Sequence, residues 1–369
     1  MSKVYCPIPF YHTAIRPDGK IFPCCNFRWE EVPGDFNLEY DDLFNSHPYM
    51  IKIRDDMKNE RSVAGCSRCY DNEQVTGESM RTDYIKRSKQ LGFTTTPPTD
   101  AKLTYIDLAL SNVCNNRCRM CNPDLSTNWY SDAKKLGIPI RSGIVNNKDT
   151  FKNFDFSNIN FIKLIGGEPL MEQEKFIEIL NRCNLTDLQL LITTNATVIP
   201  NDKLIEIFSK CKKVNWNLSI DAYGNLNEFL RKGSKWSVIE KNLEWYYNNY
   251  KSNVNVDTVV SIYNINCLDK FSKFLKERFP KLTHRHVLVD GEEWMYSSNL
   301  PSSAKTIIEE KLKTFSIDNV DLIIDFMNRP GNFTKFLEHD NKLNDIRNEH
   351  WKDSNSELYS LVEKYINYE

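Results

Sequence analysis

Six apolar, β-branched runs recur between residues 101 and 291: "LTYIDLALS" (103–111), "FIKLIGG" (161–167), "LQLLITTN" (188–195), "KVNWNLSID" (213–221), "NVDTVVSIYN" (255–264) and "HRHVLVDG" (284–291). Between them lie segments whose apolar residues return at three- and four-residue spacing, among them "EKFIEILNRC", "NDKLIEIFSKC" and "KFSKFLKERF". Runs of strand length alternating with helical spacing predict parallel βα units. Six such units predict an α/β fold, an open partial (β/α)6 barrel with its chemistry at the C-terminal ends of the strands. Past residue 300 the pattern turns to amphipathic helices, "SAKTIIEEKLKTF" and "NSELYSLVEKYI", which are expected to cover the barrel.

The first hundred residues read differently. They hold the turn signals "RPDGK" and "VPGD", a short strand candidate "KIFPCC" and an amphipathic stretch "DLFNSHPYMIKIRDDMK". Paired prolines among small polar residues in "TTTPPTD" mark a linker. The predicted division is therefore an N-terminal domain over 1–93, a linker at 94–100, the barrel at 101–299 and a helical cover at 300–369.

Composition narrows the function. The chain has 369 residues, 40% hydrophobic, with a formal net charge of −2. That near-neutral balance argues against a nucleic-acid binder, which usually carries a basic excess. No apolar run reaches the ~20 residues that cross a bilayer, and the N-terminus lacks the build of a secretion signal. A cytoplasmic protein is expected, and in that compartment eleven cysteines are metal ligands or packed thiols rather than disulfides. Eight cluster early, at 6, 24, 25, 66, 69, 114, 118 and 121, and read as metal ligands; Cys183, Cys211 and Cys267 stand singly and read as packing.

Three of the eight, Cys114, Cys118 and Cys121 in "VCNNRCRMC", follow the first barrel strand. Structural zinc takes four ligands, usually as two separated pairs. Three thiolates on one loop instead fit three irons of a [4Fe–4S] cube and leave the fourth iron open. This C-x3-C-x2-C after a first strand resembles the radical S-adenosylmethionine (SAM) enzymes. The resemblance implies that the open iron chelates SAM, and that an electron cleaves SAM to methionine and a 5′-deoxyadenosyl radical that abstracts hydrogen from a substrate. It also implies a reductant such as flavodoxin or ferredoxin.

Further matches to that family lie at strand ends. "GGEP" (Gly166, Gly167, Glu168, Pro169) resembles the segment that meets the SAM amino group, its glycines allowing close backbone approach and its Glu accepting from an ammonium. Thr194 and Asn195 in "TTN", Ser219 and Asp221 in "SID", and Ser261 and Asn264 in "SIYN" occupy positions implied to touch SAM. Arg231 in "FLRKGS" is similar to the family's carboxylate-binding arginine. Met120, before the third cysteine, stands where the family often has an aromatic residue near adenine; its thioether can make a soft contact with a ring. The alternative reading makes the glycines an ordinary turn and Asn195 a loop cap.

In the N-terminal region Cys6, Cys24, Cys66 and Cys69 form two groups that fit either zinc or an iron–sulfur cluster, with "PDGK" turning one strand back on another. The pattern resembles the SPASM domain and its shortened twitch form, modules that carry auxiliary clusters. Here the module precedes the barrel instead of following it, and its cysteines suffice for one auxiliary [4Fe–4S] cluster. Cys25 either replaces Cys24 or is a packed thiol. Substrate-facing candidates are Tyr223, Cys267, Glu292, Glu293 and Trp294. His284 and His286 share one strand face, where neutral core histidines are the commoner outcome, and Tyr11 and His12 read as structural. Relatives in this family commonly modify peptides, so a peptide or protein substrate is expected. The alternatives are a small molecule such as a sugar, nucleotide or amine, and, more remotely, a non-catalytic zinc scaffold.

Overall fold

In the computed structural model all six runs form strands, and the N-terminal region adds two. The described residues are 4–16, 21–28, 44–141, 143–144, 154–289, 291, 293–315 and 317–366. The "PDGK" turn and Glu292 lie outside them. The chain forms two compact units, one of Met1–Asn112, Val145–Ile192 and Pro200–Val214, the other of Val113–Ile144, Thr193–Ile199 and Asn215–Glu369. The fold class is α/β, with a mostly parallel, open sheet.

In the first unit β1 (His12–Ile15) pairs antiparallel with β2 (Ile21–Phe22) and parallel with β3 (Tyr105–Ala109), which continues to β4 (Phe161–Ile165) and β5 (Gln189–Thr194). The predicted reversal between Cys6 and Cys24 is therefore present. Its first strand, however, also extends the row of βα strands. Alternation sorts the side chains of this row: Ile106, Leu108, Ile162, Leu164, Leu190 and Ile192 are fully buried, while Asp107 and Lys163 project from the other face, 3.7 Å apart. His12 contacts Asp107 at 3.3 Å through Nε2 and the Pro23 carbonyl at 2.9 Å through Nδ1, and Tyr11 stacks on Phe93. Residues 94–100 carry no helix or strand, and Thr94 meets the hydroxyls of both Tyr5 and Tyr11.

In the second unit β6 (Lys213–Ser219), β7 (Val254–Val260) and β8 (Thr283–Leu288) run parallel. Trp216 and Leu218 are fully buried, with Trp216 against Tyr246. His284 lies between Thr258 (2.8 Å) and Ser272 (3.0 Å); burial drops its pKa to about 3 and that of His286 to about 4, so both are neutral packing groups. The helices Ser302–Lys313, Val320–Asn328, Phe333–Arg347 and Ser356–Val362 send Ile308, Met327, Phe336 and Leu358 into one core with Trp129, Phe229 and Tyr263. Among the described residues no helix is long and apolar enough to cross a membrane.

Candidate metal and cofactor site

The triplet loop belongs to the second unit, and the chain folds it by borrowing backbone partners. The Arg117 and Arg119 amides donate to the carbonyls of Lys232 (2.7 Å) and Leu230 (2.8 Å), so the loop runs along the segment that carries Arg231. Gly233 permits this approach. Its φ is +109°, and a Cβ there would sit 2.5 Å from the Asn115 carbonyl oxygen. Trp129 Nε1 donates to the Cys118 carbonyl (2.8 Å), and Asn195 Nδ2 donates to Asn115 Oδ1 (2.9 Å) and approaches Cys114 Sγ at 3.9 Å.

Arg231 is buried, with Nε 2.8 Å from Asp221 Oδ2 and Nη1 3.9 Å from Cys118 Sγ. Burial works against its charge, but Asp221 and Cys118 together hold its pKa above the ordinary value. Burial also pushes the Cys118 thiol up, with Arg231 opposing; at Cys121 burial does the same, reinforced by Cys118 and Cys114. A thiol raised by burial and by two neighbouring thiols calls for a cationic group to ionise it. Among the described residues no three ligand side chains converge as they would on a single ion. The thiolates of a four-iron cube stand farther apart than that, and the donor set fits such a group.

Arg119, between the second and third cysteines, is the residue the motif reading overlooked. It is fully buried, lies 3.7 Å over the Phe229 ring and donates to Asp340 (3.0 Å), Tyr263 (3.2 Å), Glu349 (2.9 Å) and Asn344. Its position inside the triplet was the available signal; the partners, more than 140 residues away, were not.

Several other strand-end residues have partners within the fold. Asn264 donates to the carbonyls of Asp221 and Val259 and accepts from the amide and hydroxyl of Ser261, which uses its full hydrogen-bonding capacity. Asp221 Oδ1 accepts from the Val259 amide (2.9 Å). Thr194 accepts from the Ala196 amide, Ser219 is half-buried at the end of β6, and Met120 packs on the core. Cys267 donates to the Asn264 carbonyl, Cys183 and Cys211 to carbonyls four residues back, as packed thiols do. Tyr223 is a half-exposed ring stacked on Phe274, Glu293 pairs with Lys335, and Trp294 stacks on His339.

In the first unit Gly166 has φ +129° and lies where a Cβ would be 2.8 Å from the Ser111 carbonyl, which also accepts from the Gly167 amide. Glu168 is fully buried and accepts from the Leu170 amide at the start of Pro169–Met171. The N-terminal thiols come from three segments tied together: Arg28 N donates to the Gly65 carbonyl (2.9 Å), and Arg81 Nη1 donates to the Tyr5 carbonyl (2.9 Å). Burial pushes the Cys6 thiol up, reinforced by Cys66 and Cys69 and opposed by Arg81. The same burial takes Cys66 to about 12, with Cys69 reinforcing it. Burial pushes the Cys24 thiol up as well, reinforced by Cys25, Cys66 and Cys6. Cys25 faces elsewhere, toward Asp107, Lys163 and Arg16, with its thiol 3.8 Å from Met80 Sδ. Arg81, another residue missed in the sequence, is buried and bound to Glu73 (Nε to Oε1, 2.9 Å).

Comparison with known proteins now decides the family. The radical SAM superfamily model matches residues 108–275, and the SPASM iron–sulfur cluster-binding domain model matches residues 6–70. The chain belongs to the radical SAM superfamily. Membership implies a [4Fe–4S] cluster and SAM, and the SPASM domain implies auxiliary iron–sulfur binding; it precedes the radical SAM region in this chain. Among curated relatives, the chain is 24% identical over 213 residues to a GTP 3′,8-cyclase of Haemophilus ducreyi, covering 57% of this chain and 60% of that one. It is 26% identical over 148 residues to the Aliarcobacter butzleri protein of the same name, covering 39% and 42%. It thus spans 60% or less of these relatives' lengths. Similar solved structures include anSMEcpe with bound AdoMet and the Cp18Cys peptide (20% identity, TM-score 0.39, 57% of this chain and 58% of that one). Another is Streptococcus suis SuiB bound to S-adenosylmethionine (16%, TM-score 0.37, 57% and 46%).

Proposed function

We propose that Cys114, Cys118 and Cys121 hold a [4Fe–4S] cluster whose open iron takes SAM. When bound, that group supplies the electron that cleaves SAM to methionine and a 5′-deoxyadenosyl radical, which abstracts hydrogen from the substrate. The observation carrying this reading is the clustered triplet, with Cys118 buried, Cys114 and Cys121 half-buried, and a guanidinium against one sulfur. Arg231, kept charged by Asp221, favours the thiolate at Cys118 and makes the cluster easier to reduce by lowering the local negative charge. Asn195 steadies the Cys114 end through Asn115. Ser219 and the Gly166–Glu168 turn are the cofactor-facing candidates that remain beside them.

Cys6, Cys24, Cys66 and Cys69 hold an auxiliary [4Fe–4S] cluster on this reading. With four protein ligands it carries electrons or supports the fold rather than binding substrate. The substrate we favour is a peptide or protein, supported by the SPASM domain. A nucleotide-type small molecule is the second reading, favoured by the match to GTP 3′,8-cyclases. A low-potential reductant and a cytoplasmic setting complete the proposal. The test is anaerobic reconstitution, iron and sulfide analysis, and dithionite reduction with SAM. Formation of 5′-deoxyadenosine, with a change in the reduced cluster's paramagnetic spectrum on adding SAM, supports it; a colourless zinc protein refutes it.

A further inference from the structure

The amphipathic stretch around residue 50 forms the helix Pro48–Lys58, whose Met50, Ile53 and Met57 are buried. Arg54 is buried with them and is only 7% exposed. Its Nε donates to the Pro9 carbonyl (2.7 Å) and the Phe44 ring centre lies 4.2 Å from its guanidinium carbon. Its Nη2 is buried and has no hydrogen-bond partner among the described residues. The neighbouring carboxylates are taken: Asp56 by Lys52 and Arg61, Asp55 by Arg61. Burial lowers the Arg54 pKa to about 10, so the group stays charged at neutral pH with no carboxylate bonded to it.

This arginine lines a cleft of about 530 Å³ within the first unit. Phe10 and Ile51, the latter 49% exposed, contribute apolar surface, and Asn45 and Lys58 contribute polar groups. Thr99, Asp100 and Ala101 line it too. They carry no helix or strand, and their amides donate to nothing among the described residues. Phe10 and Ala101 lie just before β1 and β3, so the cleft belongs to the end where these strands begin. The five residues of β3, about 17 Å at the usual rise, separate it from the end that meets Gly166.

We propose that this cleft docks an acidic side chain of an extended peptide substrate, with the carboxylate accepting from the Arg54 guanidinium. The inference rests on reading the substrate as a peptide, and it names where that peptide is gripped away from its reacting carbon. A carboxylate supplies what the site lacks: one negative charge, in a planar group that accepts from a guanidinium and from Asn45 or Lys58 beside it. Phosphate fits less well. Asp55 and Asp100 also line the cleft and repel a dianion, and Arg54 and Lys58 stand in the second half of their helix, toward the negative end of its dipole. A small free acid leaves the apolar surface and the open amides unused. A chain with apolar residues on either side of the acid covers the first and bonds the second.

The test uses the full, iron-loaded chain. Four probes are titrated by calorimetry: a capped pentapeptide with one glutamate between two leucines, its glutamine analogue, inorganic phosphate and GTP. The glutamate peptide should bind, and the glutamine analogue should bind about tenfold or more weaker. Arg54→Met should erase that difference. Because Arg54 also packs on Pro9 and Phe44, Asp100→Lys at an exposed position is the second variant. It should tighten the glutamate peptide and leave the glutamine analogue unchanged. Equal or absent binding of the two peptides, wild-type discrimination in Arg54→Met, or displacement of the glutamate peptide by phosphate overturns the cleft assignment. Stimulation of 5′-deoxyadenosine formation by GTP overturns the peptide reading instead, and the peptide titrations tell that failure from the failure of the cleft.

Discussion

Two thiol sets in this chain solve the same electrostatic problem from different amounts of sequence. Each lies beside a buried arginine locked to a carboxylate: Arg231 on Asp221 by the triplet, Arg81 on Glu73 by the N-terminal set. In both, burial raises the thiols and the arginine opposes it. The triplet comes from eight consecutive residues, held by backbone bonds to 230–232 and by Arg119. The N-terminal set comes from Cys6, Cys24 and the Cys66–Cys69 pair, across more than sixty residues, and is tied by single bonds such as Arg28 to Gly65. The triplet loop has a shape of its own, whereas the second set, on the proposed reading, would rely on bound metal for much of its own.

The largest effect that tests this contrast is Cys118→Ala. Loss of the central ligand should abolish dithionite-driven 5′-deoxyadenosine formation while the N-terminal cluster's iron stays. Unchanged product by chromatography would place the site elsewhere. Cys66→Ala should remove about one cluster's worth of iron and loosen residues around 6, 24 and 66 in hydrogen exchange, with SAM cleavage retained. If the triplet also loses its iron, the two sets are not independent and the contrast fails.

How far the sequence carried this picture varies with range. The six strands were legible because each is a run of alternating or fully apolar residues, and the triplet because its spacing is dense and follows a strand. Strand β1 was expected only as one arm of the hairpin at "PDGK"; its parallel pairing with β3 was not legible, since four residues, "HTAI", are too few to show a period. Arg231 and Asp221 were both visible as strand-end candidates, but their pairing was not. The same holds for Asn264, whose bonds to Asp221, Val259 and Ser261 join residues that no local pattern links. Arg119 and Gly233 act through contacts remote in sequence, and no local pattern announces those.

Arg119 gives the next prediction. Arg119→Met keeps length and apolar bulk but leaves the buried Asp340 without its cation, while Glu349 keeps Lys232. That loss should cost about 3–5 kcal/mol. Thermal or denaturant unfolding should show the loss, together with a broadened cluster spectrum, because the loop loses its bonds to Asp340 and Asn344 and keeps only that from Arg347 to the Arg117 carbonyl on the helix Phe333–Arg347. An Arg119→Met protein of wild-type stability would mean that the backbone bonds to 230–232 suffice to hold the triplet.

The smallest expected effect falls on Cys25. Adjacent to Cys24, it looks equally suited as a ligand, yet neighbouring residues in an extended turn project to different sides. Cys24 feels Cys6 and Cys66, whereas Cys25 meets Met80, Asp107 and Lys163. Cys25→Ser should therefore leave iron content and SAM cleavage at wild-type levels and shift stability by no more than about 1 kcal/mol, while Cys24→Ser should lose the auxiliary iron. Iron analysis of the two variants side by side separates them. The reverse result would exchange the two cysteines and make Cys25, which faces Asp107 and Lys163, the second ligand of the proposed auxiliary cluster.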